Sequence, residues 1–430
     1  MNDTSFIPFH RPSIGEEESN AVQRVLSSGW LTTGPVALEF EKQFAAYVGC
    51  KYALAVNSCT AALQLALDAI GLRPGDEVLV PSYTFTATAE VVTYFGARPV
   101  LCDSLPGGFN IDPVDAERRV TAKTRAIIPV HIAGEPCDLD PLHAMASRHS
   151  LHVIEDAAHT LPAWYRGRRI GTISEMTAFS FYATKTITTG EGGMLATDND
   201  QYAERAKMMR LHGIGGDAWK RYAKTGSWFY EVHHAGYKMN LPDLLAAVGV
   251  AQLGKADKFW QRRREIAARY QQRFSTFEEL ELPPGDSSKL EHSWHLFILR
   301  LRPDCLSINR DEFIEELKER QIDFKSLHNN IDTTTSEGMF MYRLFSALAE
   351  LERDLLRERT MAGLAAARAR GRKGGGQFKL TGVKLEAAMR AMENPQTIVM
   401  DLARANEVST PTLYRAFKRW KAERLEKTVK

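Results

Sequence analysis

The sequence predicts an α/β domain with a largely parallel sheet, followed by a smaller α+β unit and a helical tail. Three observations support this prediction. Residues 48–200 alternate short β-rich runs with amphipathic helical stretches, a pattern typical of a sheet covered by helices. One long helical stretch at 245–278 precedes strand-like runs within 280–301. After Ile322 the pattern changes to a polar segment and a long charged helix at about 340–370.

Length and composition limit the possible classes of protein. A chain of 430 residues exceeds the roughly 100–200 residues of an average domain, so we expect several domains. The hydrophobic fraction of 44% and the charged fraction of 25% are typical of globular proteins. No apolar run reaches the roughly 20 residues of a membrane helix, and the five cysteines are widely spaced without a CxxC pair. We therefore expect a cytoplasmic protein without a membrane segment, a disulfide framework or a metal site.

Five short runs form the predicted sheet. They are residues 77–80, 99–103, 126–130, 152–155 and 177–181. Helical stretches lie between them, such as 60–70, in which Leu63, Leu67 and Ile70 share one face.

A lysine follows the last of these runs. Lys185 lies in FSFYATKTITTGEGGM, where the glycine cluster favours a tight turn, so the amine should point into the cleft at the strand ends. An amine in this position could form a Schiff base with a carbonyl cofactor. A single lysine in such a segment is otherwise an ordinary surface residue.

Three further elements favour a cofactor site. Asp156 ends a buried apolar strand in LHVIEDAAH, where a carboxylate needs a cation such as a protonated pyridine nitrogen; a helix N-cap is the alternative. Ser58 and Thr60 open a helix whose free N–H groups could bind a phosphate, although simple capping explains them equally well. Phe85 follows a strand in VPSYTFTAT, and its ring could stack on a heteroaromatic cofactor or belong to the core.

In this order and spacing, the elements resemble the DegT/DnrJ/StrS family of pyridoxal-phosphate sugar aminotransferases from about Phe6 to Ile322. The matching segments are SSGWLTTGP at 27–35, the helix start at 58–62, PSYTF at 81–85, EDAAH at 155–159, SFYATK at 180–185 and GYKMNLPD at 236–243. The resemblance implies an aspartate-aminotransferase-like fold (fold type I) with pyridoxal 5'-phosphate as the cofactor. It also implies that Lys185 is the Schiff-base lysine, Asp156 the partner of the pyridine nitrogen and Phe85 the stacking ring.

Further roles follow from the same resemblance. Thr60, Ala61 and Ser180 would hold the phosphate, and His159 would lie beside the hydroxyl of the cofactor. Asn240 would reach the phosphate of a neighbouring subunit, so the implied enzyme is a homodimer. Its substrates would be a nucleotide-linked keto sugar and glutamate as the amino donor. The segments FHRPSIGEEE, LHGIGGDAW and GYKMN are most similar to enzymes that act on 4-keto sugars, including those that make 4-amino-4-deoxyarabinose.

The rest of the chain, from Phe324 to about Trp420, resembles the C-terminal third of a transposon resolvase of the serine recombinase family. The matching runs are FKSLHNNIDTTT, ALAELERDLLRERTMAGLAAARARGRKGG and VSTPTLYRAFKRW. In that family a long helix carries the dimer contact and enters DNA, a basic arm lies in the minor groove, and a helix-turn-helix reads the major groove. The resemblance therefore implies duplex DNA as a partner.

Two short predicted helices, 399–405 and 410–418, have the spacing of a helix-turn-helix. Leu402, Val408 and Leu413 would pack inward. A plain helical bundle with a solvated basic face is the alternative. The residues expected to contact DNA are Arg368, Arg370, Arg372 and Lys373 in the arm and Ser409, Thr410, Thr412, Tyr414 and Arg415 in the second helix.

The two resemblances together predict an in-frame hybrid joined near Ile322. The predicted domains are a large cofactor-binding domain (1–245), a truncated small domain (246–322), the last resolvase strand and dimerisation helix (323–370), a basic arm (371–380) and a helix-turn-helix (381–430). Family members continue beyond the junction with a strand, a substrate-contacting loop and a closing helix, so we expect impaired transaminase activity. The nucleophilic serine of resolvases lies in a half that is missing here, so we expect no recombinase activity. The alternatives are a DNA-binding protein whose cofactor domain dimerises or senses, and a non-functional product of transposon rearrangement.

Overall fold

The computed structural model describes residues 10–215, 231–306, 312, 325–326, 331–332, 382–394 and 397–420 without 407, 411, 415 and 419. The chain forms two compact units, Met1–Asp332 and Thr333–Lys430. In the described part of the first unit the helices are α1 (Glu16–Ser28), α2 (Pro35–Val48), α3 (Cys59–Ala69), α4 (Thr86–Thr93), α5 (Pro113–Arg118), α6 (Leu139–His149), α7 (Asp200–Met209), α8 (Asp243–Leu253) and α9 (Ala256–Phe274). The strands are β1 (Tyr52–Val56), β2 (Glu77–Pro81), β3 (Arg98–Cys102), β4 (Thr124–Ile127), β5 (His152–Asp156), β6 (Trp164–Tyr165), β7 (Arg168–Arg169), β8 (Met176–Ser180), β9 (Gly193–Thr197), β10 (Leu280–Glu281), β11 (Leu290–Glu291), β12 (Arg300–Leu301), β13 (Lys325–Ser326) and β14 (Ile331–Asp332).

A mixed sheet of seven strands, in the order β1-β9-β8-β5-β4-β2-β3, organises the first unit. β9 is antiparallel to both of its neighbours, whereas β8, β5, β4, β2 and β3 run parallel to one another. The five predicted runs coincide with β2, β3, β4, β5 and β8 to within a few residues, so the predicted α/β sheet is confirmed. The helical connections between parallel strands bring their carboxyl ends to one edge of the sheet.

Both faces of this sheet are covered by helices, because alternate strand residues point to opposite sides. In β8, Phe179 belongs to the core cluster that includes α2, whereas Ala178 belongs to the cluster that includes α3. Phe44 of α2 packs edge-on against Phe179, with ring centroids 5.1 Å apart. On the other face, Leu63 and Leu67 of α3 are fully buried, as their spacing predicted. Because β1 and β8 are both antiparallel to β9, β1 ends at the carboxyl edge of the sheet, and α3 begins there.

The stretch predicted as one helix at 245–278 is two helices, α8 and α9. The break falls at Gly254, a residue type with low helix propensity. Next to it, the Lys255 ammonium forms an ion pair with the buried carboxylate of Glu18 in α1, with Nζ and Oε1 2.7 Å apart. The ion pair and the glycine together interrupt the apolar pattern that suggested one continuous helix.

Two segments far apart in the sequence, 27–35 and 236–243, pack against each other through the buried Asp243. Its carboxylate accepts hydrogen bonds from the backbone N–H groups of Gly34 (2.7 Å), Val36 (3.1 Å) and Ala37 (2.9 Å). It thereby caps the N-terminus of α2 from a position 209 residues away in the chain.

We expect Asp243→Ala to lower the free energy of unfolding by about 2–3 kcal/mol, because it leaves several N–H groups without an acceptor inside the protein. Chemical denaturation measures the loss. The matched control is Asp112→Ala, which removes a cap of α5 that accepts one hydrogen bond, from Val114 N–H at 2.9 Å, and should cost about 1 kcal/mol. Equal losses for the two variants would contradict the capping argument.

Short antiparallel strand pairs follow α9. β10 pairs with β12, β11 pairs with β6 of the large domain, and β13 pairs with β14 beyond the predicted junction. None of the described helices of the chain combines the length and the apolar character needed to cross a membrane.

The second unit contains α10 (Gly382–Met392) and α11 (Val399–Ala405) within its described residues. Leu413 is fully buried, and Leu402 and Val408 pack against the same cluster, as predicted. Residues 410, 412–414 and 416–418 are helical, which agrees with the predicted second helix. The predicted long helix at about 340–370 and the basic arm lie outside the described residues.

Candidate active site

Predicted site residues follow the carboxyl ends of several strands. Asp156 is the last residue of β5, and Lys185 follows β8 in a turn where its N–H donates to the Tyr182 carbonyl at 2.9 Å. Phe85 lies between β2 and α4, and α3 begins at Cys59 after β1. Ligands of open α/β sheets bind outside this edge. The fold therefore gathers at one edge residues that are distant in sequence.

Asp156 is a buried carboxylate held by uncharged donors. Its Oδ2 accepts from the Thr88 hydroxyl at 2.9 Å, and its Oδ1 accepts from the Ala158 N–H at 3.1 Å and faces Cys59 Sγ at 3.8 Å. Within the described residues, no lysine or arginine forms an ion pair with it. Burial raises the pKa of this carboxyl, although these donors and the charge of Lys185 oppose the shift. A turn follows β5 in place of a helix, so the helix N-cap alternative is wrong.

Lys185 is half-buried and is therefore not an ordinary surface lysine. Burial lowers the pKa of its ammonium below the usual range, while the nearby Cys59 and Asp156 act in the opposite direction. A lower pKa increases the fraction of neutral amine, which is the form that can attack a carbonyl or accept a proton.

The N-terminus of α3 lies beside this pair. Ser58 is its N-cap, and the Ser58 hydroxyl oxygen accepts from the Ala61 N–H at 3.1 Å. Thr60 is half-buried in the first turn. A Cβ on Gly193 would lie 2.4 Å from the Ser58 carbonyl carbon, so this glycine permits β9 to pack directly against the turn. The structure thus brings the predicted phosphate residues Thr60 and Ala61 to the same edge as Asp156, and their role stays a prediction.

Two other predicted residues flank the site. The Phe85 side chain is 77% exposed, so the alternative that it is a core aromatic is wrong. An exposed flat ring at the carboxyl edge of the sheet is suited to stacking on a planar ligand. Ser180 is half-buried at the end of β8, and its hydroxyl accepts from the Tyr182 N–H at 3.3 Å.

His159 follows the turn after Asp156. Its Nδ1 accepts a hydrogen bond from the Ala133 N–H at 3.3 Å, and its ring lies against that of His295 with centroids 4.6 Å apart. Burial, followed by the nearby charge of Lys185, lowers the pKa of His159 to about 3. The imidazole is therefore neutral near neutral pH.

Asn240 lies beside the carboxyl end of β1, where it forms an isolated bridge with Val56. Its side-chain amide donates to the Thr33 hydroxyl at 2.5 Å, and its Oδ1 accepts from the Lys238 ammonium at 2.7 Å. The structure contains one chain, and the expected contact with the phosphate of a partner subunit stays a prediction.

Sequence reasoning missed several residues that the structure brings to this site. Thr88 lies one helical turn after Phe85, and its bond to Asp156 could have been sought from that spacing. Cys59 sits between Ser58 and Thr60 and was not singled out. His295 comes from the small unit, and no local pattern links it to His159.

These residues fit a planar cofactor that carries a protonated ring nitrogen and a phosphate. The buried Asp156 has hydrogen-bond donors but forms no salt bridge among the described residues, and a pyridinium in direct contact would supply a balancing charge. Phe85 offers a ring face, and the start of α3 offers a helix N-terminus for an anion. Lys185 provides an amine of lowered pKa at the same edge.

In the second unit, the predicted DNA-contacting side chains of Ser409 and Tyr414 are exposed, and those of Thr410 and Thr412 are half-exposed. The hydroxyls of Ser409 and Thr412 are 2.8 Å apart. The other predicted DNA contacts lie outside the described residues, namely Arg368, Arg370, Arg372, Lys373 and Arg415.

Two family models match the chain. The model of the DegT/DnrJ/EryC1/StrS aminotransferase family matches residues 12–339, and the model of the resolvase N-terminal domain matches residues 309–373. The two matches overlap at 309–339, an interval that includes the predicted junction at Ile322.

Individual relatives agree with the first match. The chain is 47% identical over 323 residues to the spore coat polysaccharide biosynthesis protein SpsC of Bacillus subtilis, covering 75% of this chain and 83% of that protein. Among solved structures it is similar to the putative sugar aminotransferase Spr1654 of Streptococcus pneumoniae in its PMP form, with 34% identity, a TM-score of 0.68 and coverage of 74% and 84%. It is also similar to DesV of S. venezuelae, with 37% identity, a TM-score of 0.63 and coverage of 71% and 77%.

Proposed function

Because this chain belongs to the DegT/DnrJ/EryC1/StrS aminotransferase family, which depends on pyridoxal phosphate, we propose that it transfers an amino group from glutamate to a nucleotide-linked keto sugar for polysaccharide synthesis. The observation that carries the proposal is the buried Asp156 carboxylate, which forms no salt bridge within the described residues and lies at the same sheet edge as Lys185. The similarity to a polysaccharide biosynthesis protein and to sugar aminotransferases supports the sugar as the substrate class.

Each residue of the site has a proposed part in this reaction. When bound, the cofactor supplies an electron-accepting ring that stabilises negative charge on the substrate carbon. Asp156 holds a proton on the ring nitrogen, and Thr88 orients the carboxylate. Phe85 covers one face of the ring and excludes water. Lys185 would hold the cofactor through its amine and would move a proton at the substrate carbon, for which its lowered pKa is suited.

Other residues bind the remaining parts of the cofactor. We assign the phosphate to Thr60, Ala61 and Ser180, with Asn240 of a second subunit completing that site in a homodimer. The Ala61 N–H donates to the Ser58 hydroxyl in this structure, so its contact with phosphate requires that the hydrogen bond be shared or exchanged. We also propose that His159 donates a hydrogen bond to the hydroxyl of the cofactor.

The proposed half-reactions are tested by visible absorbance of the purified protein loaded with pyridoxal phosphate. We expect glutamate alone to remove the absorbance of the bound aldehyde form, and a nucleotide-linked 4-keto sugar added afterwards to restore it and yield an amino sugar. D-glutamate is the matched control and should leave the spectrum unchanged. A loaded protein whose spectrum responds to neither L-glutamate nor the keto sugar would contradict the proposed activity.

The predicted junction near Ile322, where the aminotransferase part ends, should reduce the rate of turnover more than the affinity for the cofactor. The proposed cofactor residues all lie between positions 60 and 240, upstream of the junction. A small domain that closes incompletely leaves the sugar poorly placed and exposed to water, which lowers turnover. We therefore propose an enzyme that binds its cofactor normally and turns over more slowly than its relatives.

A second function, DNA binding, is supported by the match to a resolvase domain and by the exposed Ser409 and Tyr414 in the second unit. We propose that the helices of this unit form a helix-turn-helix that docks in the major groove, with the basic arm in the minor groove. We expect no strand cleavage, because the match to the resolvase N-terminal domain covers only residues 309–373 and the residues before it match the aminotransferase family.

This proposal predicts DNA affinity that falls steeply with salt. Each arginine of the arm that contacts a phosphate should contribute about one unit to the slope of log affinity against log salt concentration. We expect Arg370→Ala to reduce the slope by about one unit in a titration with labelled duplex DNA, and Arg24→Ala in the first unit, the control, to leave it unchanged. An unchanged slope in Arg370→Ala would contradict the arm contact, and a covalent protein–DNA adduct would contradict the absence of cleavage.

A further inference from the structure

A segment of the small α+β unit, residues 292–296, is bonded directly to the candidate active site. The Ser293 N–H donates to the Gly134 carbonyl at 2.9 Å, and the Ser293 hydroxyl donates to the His159 carbonyl at 2.6 Å. Ser293 lies 134 residues from His159 in the sequence. The position of this segment and the position of His159 are therefore coupled through short hydrogen bonds.

The close approach depends on an unusual backbone at Ala133 and Gly134. Gly134 has a φ of +97°, and a Cβ there would lie 2.0 Å from the Ser293 hydroxyl and 2.9 Å from the His159 carbonyl oxygen. Ala133 also lies in the left-handed region, with φ at 59°. This conformation directs the Ala133 N–H toward the His159 ring, at 3.3 Å from Nδ1.

That hydrogen bond determines which nitrogen of His159 carries the hydrogen. Because the Ala133 N–H donates to Nδ1, Nδ1 must be unprotonated, and the neutral ring carries its hydrogen on Nε2. Burial, then the nearby charge of Lys185, lowers the pKa of this imidazole to about 3. His159 is thus a neutral donor through Nε2 near neutral pH, and it can donate a hydrogen bond to an oxygen of a ligand.

The ring of His295 completes the arrangement. It packs against the His159 ring at a centroid distance of 4.6 Å and an angle of 33°. His295 is buried, and its Nδ1 has no hydrogen-bond partner within the described residues. Burial, then His159, Lys185, Arg263 and His10, lower the pKa of His295, so two neutral rings face each other. What His295 contributes to its neighbour is therefore a flat surface.

We propose that His295 is a positioning residue: by packing its ring against that of His159, it holds the His159 ring with Nε2–H directed at the hydroxyl oxygen of the cofactor. The inference rests on the proposed cofactor site, but the state of the His159 ring can be measured without cofactor, glutamate or sugar. A failure of the proposed sugar transfer therefore leaves this test intact.

The test compares His295→Phe, which keeps a flat ring, with His295→Ala and His295→Leu, which remove it. In His295→Leu, the leucine fills most of the volume of the histidine ring. If His295→Ala does not fold, the comparison of His295→Leu with His295→Phe still tests the proposal. NMR of the cofactor-free protein with 15N-labelled histidine reports the tautomer of His159, with His159→Gln identifying its signals. Titration with pyridoxal phosphate, followed by tryptophan fluorescence, reports cofactor affinity. His149→Ala, an exposed histidine at the end of α6, is the control.

We expect His295→Phe to keep hydrogen on Nε2 of His159 and to bind the cofactor about as tightly as the unaltered protein. His295→Leu and His295→Ala should show both tautomers and bind the cofactor about tenfold more weakly, as expected for a misdirected hydrogen bond to a charged oxygen. A phenylalanine variant that behaves like the leucine variant would overturn the stacking role. The same role would be overturned if His295→Leu left the tautomer of His159 and the affinity for the cofactor unchanged.

Discussion

Lys185→Ala should abolish transamination and leave a protein that no longer becomes covalently labelled when loaded with pyridoxal phosphate and reduced with borohydride. Lys185 is the amine that the fold places at the carboxyl edge of the sheet within electrostatic range of Asp156, and burial lowers its pKa. Losing a group that both bonds to the carbonyl carbon and moves a proton should reduce turnover by at least roughly 10²–10⁴-fold.

Mass spectrometry of the reduced protein measures the labelling, and the rate of amino-sugar formation measures turnover. Lys123→Ala, at an exposed position before β4, is the matched control and should keep both the label and the activity. Cofactor should still bind non-covalently to Lys185→Ala, since the proposed phosphate and ring contacts are made by other residues. A reduced cofactor adduct on Lys185→Ala would show that another lysine forms the covalent bond.

Asp156→Asn should have opposite effects on activity and on stability. The amide keeps the shape of the side chain and can still accept from the Thr88 hydroxyl, but it cannot hold a proton on the ring nitrogen. Turnover should fall by roughly 10²–10⁴-fold, as for other buried carboxylates that hold a catalytic partner in its protonated state. In contrast, the cofactor-free variant should be more stable than the unaltered protein near neutral pH, because a buried carboxylate with a raised pKa and no salt-bridge partner among the described residues has been removed.

The sign of the pH dependence follows from the raised pKa of Asp156 in the folded protein. At pH values between the pKa of Asp156 in the unfolded chain, about 4, and its higher pKa in the folded protein, the folded state binds more protons than the unfolded state. The stability that this carboxyl contributes is therefore lost as the pH rises. The difference in free energy of unfolding between Asp156→Asn and the unaltered cofactor-free protein should therefore grow with pH across this interval. Thermal unfolding at several pH values measures it. Asp103→Asn, at an exposed position, is the control. If the difference in free energy of unfolding does not change with pH, burial of the Asp156 carboxylate does not destabilise the cofactor-free protein.

Most of the large domain could be predicted from local patterns. The five parallel strands and the start of α3 follow from apolar runs and helical spacing, because most residues of β2, β4, β5 and β8 are buried, whereas the edge strand β3 is partly exposed. The same reasoning correctly identified the inward residues Leu402, Val408 and Leu413 of the tail. It was wrong where a long-range contact competes with local preference, as at Gly254, where the Lys255–Glu18 ion pair accompanies a break between two helices.

The environment of the site was less accessible to such reasoning. The sequence offered Phe85 as either a core aromatic or a stacking ring, and only its 77% exposure in the fold decides against the core. Likewise, Asp156 was a candidate helix cap until the structure showed a turn after β5 and the Thr88 hydroxyl bonded to its carboxylate.

The sequence by itself determined the α/β class, the family of the first part and the positions of Lys185 and Asp156 at strand ends, because these depend on periodicity and on motifs that are contiguous in the chain. The tertiary structure alone decided that Asp243 caps α2 and that His295 packs on His159. These contacts join residues more than a hundred positions apart, and their energy depends on distances that arise only when the sheet and its helices are assembled. No local pattern carries that information.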